Sequence, residues 1–214
     1  TFGDELITVI KQGFELASEA AAPFSARVFA DIGPISGEYD EASEDYLNVA
    51  RLFVSCGAKD FLFETQNELE ALVPAIKFIN GMVKDACVAV CFAVSQDGYT
   101  KTGKYYKDLI DAAFKSGAKL SGLNCVCGPV HMSALIKKLD LSKGNIIAMP
   151  NSGYPSIENG RTFYRDNAEY YSDKLAEMYS FGAMVGGCCG TTPEHIRQAR
   201  SEERRVGKEC RSRW

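Results

Sequence analysis

Apolar residues follow two rhythms along this chain. Short runs rich in β-branched and aromatic residues recur: "RVFADIG" from Arg27, "DFLFET" from Asp60, "CVAVCFAVS" from Cys87, "AKLSGLNC" from Ala118, "NIIAMPN" from Asn145 and "AMVGGCC" from Ala183. Between them, apolar positions return at helical spacing. "SEDYLNVARLFVSCGAKD" reads as a helix with a Ser43 cap, Leu47, Ala50, Phe53 and Val54 on one face, and a stop at Gly57. "YYKDLIDAAFKSGAK" and "YYSDKLAEMYSFGA" also end in a glycine just before the next apolar run. The repeating unit is helix, glycine stop, buried strand, polar loop.

Strands joined through helices must pair in parallel, and near-continuous apolar character implies burial on both faces. The choice lies between a (β/α) barrel and an open doubly wound sheet. Chemistry-bearing residues gather at the strand carboxyl ends: Asp31, Glu64, Asn124 with Cys125, Asn151, and Cys188 with Cys189. A barrel uses that whole rim, whereas an open sheet uses one crevice. The expected fold is therefore an α/β (β/α)8 TIM-type barrel. Six βα units are legible, so the chain is expected to lack an N-terminal piece carrying two strands and one helix.

Composition narrows the function. With 214 residues and 46% apolar content, the chain can bury a full core, and a formal charge of -4 supplies no basic face for nucleic acid or anionic lipid. No signal peptide or membrane-spanning run is present, which points to the cytoplasm. Eight cysteines in a reducing compartment suggest metal or catalysis before disulfides. The basic stretch "SEERRVGKECRSRW" reads as a non-native tail over 201–214, which leaves 1–200 as the folded domain.

"GGCCGTTPEHI" sets two adjacent cysteines at a strand end, followed by a Thr192 cap and Pro193 at the first helical position. In a turn, adjacent side chains can converge. The flanking glycines would leave room for an ion, and the helix N-terminus would make these thiols easily deprotonated. Cys125 offers a third sulfur on the same rim. Three thiolates hold zinc with one position open, the mark of a catalytic site, and a substrate thiol can take that position.

"GLNC", "MPNSGYP" and "GGCCGTTPEHI", in this order on successive βα units, resemble the zinc-dependent homocysteine S-methyltransferase family. The likeness is greatest to the homocysteine-binding half of cobalamin-dependent methionine synthases and of bacterial fusions to methylenetetrahydrofolate reductase. It implies a (β/α)8 barrel that transfers a methyl group to homocysteine, giving methionine. It implies Cys125, Cys188 and Cys189 as zinc ligands, and Glu64 as the carboxylate for the substrate ammonium. Asn151 would lend zinc an oxygen before substrate arrives, and Asn124 would line the substrate pocket. Methyltetrahydrofolate acting through a corrinoid is the first expectation for the donor. The chain has no Asp-x-His-x-x-Gly motif, so cobalamin would sit on another domain or protein. Donors of the S-methylmethionine or betaine type, or an inactive zinc-binding fragment, are the alternatives.

Other candidates carry plainer readings. Cys56, Cys87 and Cys91 fit the core, and Cys127 is already leaving its strand. His131 and His195 fall in helix first turns, where capping or surface roles suit them. Glu64 could instead cap the following helix, and Asp31 could orient a substrate or tie down a loop.

Overall fold

The computed structural model describes residues 3–153, 155–164 and 167–201. Helix α1 (Asp4–Ala21) leads to β1 (Phe29–Ile32), α2 (Tyr39–Ser55), β2 (Asp60–Gln66), α3 (Val73–Met82), β3 (Cys87–Phe92) and α4 (Tyr106–Lys115). Then come β4 (Leu120–Asn124), α5 (Pro129–Ile136), β5 (Asn145–Met149), β6 (Pro155–Glu158), β7 (Arg161–Tyr164), α6 (Ala168–Ser180) and β8 (Met184–Val185). A last helix covers 193–201. The tail expected over 201–214 lies outside the described residues apart from Ser201.

All six apolar runs are strands of one sheet, in the order β1-β2-β3-β4-β5-β8, and every neighbouring pair is parallel. These are six βα units of a TIM-type barrel, as the patterning predicts. Alternation sorts each strand into two faces. Phe61, Phe63, Val88, Val90, Phe92 and Leu123 point outward into the main core beneath the helices. Cys87, Ala89 and Leu120, with Phe29, Leu62 and Ile147 against them, form a smaller inner cluster. The same alternation carries Asp31, Glu64, Asn124 and Cys188 to the inner face, further toward the strand carboxyl ends.

The glycine stops have one geometry, used three times. Gly57, Gly117 and Gly182 take φ of 86°, 104° and 104°. Each donates its N–H to a carbonyl three residues back, and the following alanine donates to one five back: Gly57 to Val54 and Ala58 to Phe53, Gly117 to Phe114 and Ala118 to Ala113, Gly182 to Tyr179 and Ala183 to Met178. This is the Schellman arrangement, which needs a left-handed residue. The three alanines are buried, so the cap also turns the chain straight into the next strand.

Two local expectations are corrected. Helix α2 starts after Glu38, not at a Ser43 cap, and buries Ala42, Tyr46 and Ala50, with Leu47 only half-buried beside that stripe. The acidic first turn, Asp40 and Glu41, suits a helix N-terminus and extends it backwards. Beyond β5, the sequence reading had no structure where β6 and β7 form an antiparallel hairpin. Its two-residue turn is Asn159-Gly160, with φ of 52° and 72°, the type I′ conformation that Asn-Gly favours.

Gly57 isolates the cost of the left-handed cap, because an added Cβ would meet nothing within 4 Å. Gly57→Ala should lose about 1 kcal/mol net in urea denaturation, with folding cooperativity retained. An unchanged midpoint would show that the cap imposes no backbone strain.

Candidate metal and substrate site

The site begins where the β5–β8 ladder runs on past the ends of its strands. Gly186 N–H donates to Ala148 C=O and Cys188 N–H to Pro150 C=O, both at 3.0 Å. Cys188 therefore stays in strand register and points inward with Met184 and Gly186. At Cys188 the chain reverses in a β-turn closed by Thr191 N–H to Cys188 C=O at 3.1 Å. Gly190 supplies the positive φ, 77°, that the third position of a type II turn requires. The turn, rather than the strand, is what lets neighbouring thiols share one side, and their sulfurs lie 4.0 Å apart.

Cys125 arrives by a different bend. It follows β4 and would face outward by alternation, but Cys125 and Val126 both take left-handed φ, 59° and 54°. Two consecutive non-glycine residues in that region are strained, and such strain is common at functional sites. The bend brings Cys125 Sγ to 3.6 Å from Cys189 Sγ, although the two residues are 64 positions apart. All three sulfurs lie within 4.8 Å of one another. Tetrahedral zinc with bonds of about 2.3 Å would hold its sulfurs about 3.8 Å apart. The donor set and its spacing fit that ion.

The expected easy ionisation is corrected. With only the protein's own groups acting, burial and then the neighbouring thiols push Cys188 up to about 12, and Cys189 is raised by burial and by Cys125. A helix N-terminus contributes up to about 2 kcal/mol, whereas two like charges about 4 Å apart repel by about 4 kcal/mol even in a fairly polar interior. Burial together with that repulsion outweighs the helix, and a bound dication would reverse the balance. The flanking glycines also have another role from the one expected. A Cβ on Gly187 would strike Thr191, and one on Gly190 would strike Ser152 and Tyr164, so they answer to protein packing.

Opposite the thiols stands a pair of acids. The β2–β3 register shifts between Phe63 and Gln66, and Thr65 takes φ of 59°, so β2 bulges at Glu64-Thr65. Glu64 thus leaves the regular ladder and does not cap a helix. Asp31 faces it with one side open to solvent; burial on the other side, then Glu64, raise its carboxyl to about 7. Between acids and thiols lies fully buried Asn124. Its Oδ1 accepts from Thr65 N–H at 2.7 Å, and its Nδ2 lies 3.2 Å from Glu64 Oε2 and 3.8 Å from Cys188 Sγ.

Asn151 is buried, and its Oδ1 has no hydrogen-bond partner among the described residues. Cys127 turns away from the cluster, its thiol donating to Val94 C=O at 3.0 Å. Cys87 and Cys91 are buried, and Cys56 ends α2. His195 is buried with Nδ1 accepting from Thr192 N–H, a capping role. His131 lies in the first turn of α5.

Two tyrosines went unnoticed in the sequence. Tyr171 of α6 is fully buried, and its hydroxyl donates to Pro150 C=O at 2.9 Å and lies 3.2 Å from Gly186 C=O, which pins the two chain segments that carry the cysteine turn. Tyr164, at the end of β7, packs on Gly190 and hydrogen-bonds Cys189. Helical spacing could have marked Tyr171 as core but not its hydroxyl's partners. The Asn-Gly turn was the signal for Tyr164.

Fold and site together are those of a (β/α) barrel protein with a three-thiol cluster at the carboxyl ends of its strands. Residues 1–202 match the family described as homocysteine S-methyltransferase, and the chain belongs to that family. It is 30% identical over 168 residues to methionine synthase of Mycobacterium leprae and 30% over 174 to that of Mycobacterium tuberculosis. Each match takes in 75% of this chain and 14% of the relative, so the chain spans a small part of those proteins' length. In fold it is similar to the homocysteine methyltransferase MmuM from Escherichia coli, apo form: TM-score 0.73, 18% identity, 92% of this chain and 73% of that one. No helix among the described residues is long and apolar enough to cross a membrane.

Asp31 makes the acid pair testable. The folded chain keeps its proton up to about 7, whereas an unfolded chain releases it near 3.8, so stability falls as pH rises between those values. Asp31→Asn should therefore melt higher than wild type at about pH 8, and the difference should shrink toward zero at about pH 4. A difference that does not change with pH would mean that the folded chain does not raise the Asp31 carboxyl.

Proposed function

We propose that residues 1–200 form a homocysteine-binding methyltransferase unit that makes methionine, with zinc held by Cys125, Cys188 and Cys189. The observation that carries this reading is the meeting of three sulfurs, from two distant strand ends, at tetrahedral spacing. The outer edges of β1 and β8 pair with nothing among the described residues, so the six strands form an open part of a barrel. The proposed location is the cytoplasm, where the described cysteines, all free thiols, stay reduced.

Zinc bound to these sulfurs would supply the positive charge that keeps a substrate thiol ionised near neutral pH. The chain's own residues do the rest. Glu64 and Asp31 receive the ammonium of homocysteine, whose charge relieves the repulsion between them. Asn151, whose buried Oδ1 has no partner among the described residues, would lend the metal an oxygen while no substrate thiol is bound. The substrate sulfur then attacks the donor's methyl carbon; the S–C bond forms as the methyl–donor bond breaks, and the bonding pair stays with the donor. The proposed donor is methyltetrahydrofolate acting through a corrinoid on another domain, a reading supported by the likeness to methionine synthases.

X-ray absorption of the zinc-loaded chain should show about three sulfur neighbours at about 2.3 Å. Cys125→Ala, Cys188→Ala or Cys189→Ala should each abolish methyl transfer, while Cys56→Ala should not. Zinc content near zero after purification without chelator would refute the ligand set.

Glu64→Gln should retain zinc but bind homocysteine roughly ten- to a hundredfold more weakly, the worth of a charge-assisted hydrogen bond. Unchanged affinity in calorimetry would remove Glu64 from the ammonium site. In an assay of methionine formation, methylcobalamin should serve as methyl donor and S-methylmethionine should not; the reverse would assign a directly delivered donor.

A further inference from the structure

Asn124 does not sit where a pocket-lining residue would. It is 0% exposed, and each polar atom of its amide faces protein. The orientation of that amide is forced. Thr65 N–H can only donate, so the atom 2.7 Å from it is the carbonyl oxygen, and the NH2 group must face the other way. There it meets Thr65 Oγ1 at 2.9 Å, Glu64 Oε2 at 3.2 Å and Cys188 Sγ at 3.8 Å. Asn124 closes β4, and each partner lies two strands away in the sheet: β2 beyond β3 on one side, and the β8 segment beyond β5 on the other. Contacts of that reach run through the barrel interior rather than along a ladder. The inward side chains of β3, Cys87, Ala89 and Cys91, are small.

We propose that Asn124 is a positioning residue that locks the Glu64 carboxylate and the Cys188 sulfur at a fixed separation, and is not itself a contact to substrate. Through its oxygen it holds the left-handed Thr65, and so the bulge that presents Glu64. Its two N–H groups face three acceptors, Thr65 Oγ1, Glu64 Oε2 and Cys188 Sγ, so the one not held by Thr65 is shared between the carboxylate and the sulfur. Homocysteine joins thiol and ammonium through a short carbon chain, so the Cys188 sulfur and the Glu64 carboxylate must be held in matching positions. This role rests on the function proposed above and assigns the placing of the ammonium site to one buried amide.

The test uses the full zinc-loaded chain with homocysteine and with 4-sulfanylbutanoate, which is homocysteine without its ammonium group. Calorimetry gives the preference between the two ligands, and chelator competition gives zinc affinity. Asn124→Asp keeps the acceptor for Thr65 N–H but replaces the donor by an oxygen facing Glu64 and Cys188. It should lose most of the preference for homocysteine and weaken zinc roughly ten- to a hundredfold, the usual cost of removing a hydrogen bond behind a metal ligand. Glu64→Gln should lose the preference and keep its zinc. Combining the two should reduce the preference no further than Glu64→Gln alone, because one effect acts through the other.

Additive losses in the double variant would overturn the proposal, as would an Asn124→Asp chain with wild-type preference and zinc affinity. Should Asn124→Asp fail to fold, Asn124→Ala, which adds no charge, is read by the same two measurements. A wild-type chain that holds zinc but shows no preference for homocysteine would refute the substrate reading instead. The role of Asn124 would then stand or fall on the zinc affinity of its variants.

Discussion

The carboxyl end of this sheet depends on one ladder that does not stop where its strands do. Because Cys188 N–H still pairs with Pro150 C=O, the cysteine turn is held in the register of β5 and β8 and cannot swing free. Tyr171 fixes the same two segments from behind through their carbonyls. On that footing the chain can reverse sharply at Gly190 without losing its place, and the paired thiols meet Cys125 coming from β4. Without the extended pairing, the turn would be a surface loop.

Around this footing the site is assembled against its own electrostatic preference. Three thiols crowd one side and two carboxyl groups the other, and burial followed by that crowding raises Cys188 and Asp31, which makes both reluctant to ionise. Three left-handed non-glycine residues, Thr65, Cys125 and Val126, add backbone strain at the same rim. Such a centre lowers stability, and the rest of the fold offsets that cost with fully buried outward-facing residues such as Phe61, Phe63 and Phe92. Each aromatic side chain so buried contributes about 1.5 to 3 kcal/mol. What relieves the crowding is positive charge, a metal among the sulfurs and an ammonium between the acids. The strain is thus a form of readiness for those ligands.

Much of this was legible beforehand. Six apolar runs with helices between them predict a parallel sheet buried on both faces, and three glycine stops mark the helix ends, because a Schellman cap demands a residue that tolerates positive φ. The spacing of "GLNC" and "GGCCGTTPEHI" placed three cysteines at strand ends. The sequence reading was misled at Ser43, where a residue suited to capping sits a full turn inside a helix whose acidic first turn starts it earlier. It passed over the β6–β7 hairpin, whose Asn-Gly turn lies in a polar stretch with weak alternation.

By itself, then, the sequence determined which residues could lie at the mouth of the sheet, since period-two alternation, helix caps and turn residues act within a few positions along the chain. It did not determine how their side chains would meet. Of the three sulfurs only Cys188 follows strand alternation; Cys125 and Cys189 reach the cluster through turns whose direction is set by the strands and hairpin packed around them. Nor could it foresee that Asn124 would span the interior from β2 to β8, or that burial and neighbouring thiols would raise Cys188 and Cys189. Both depend on distances between residues some sixty positions apart, and only the packing of the whole sheet fixes those.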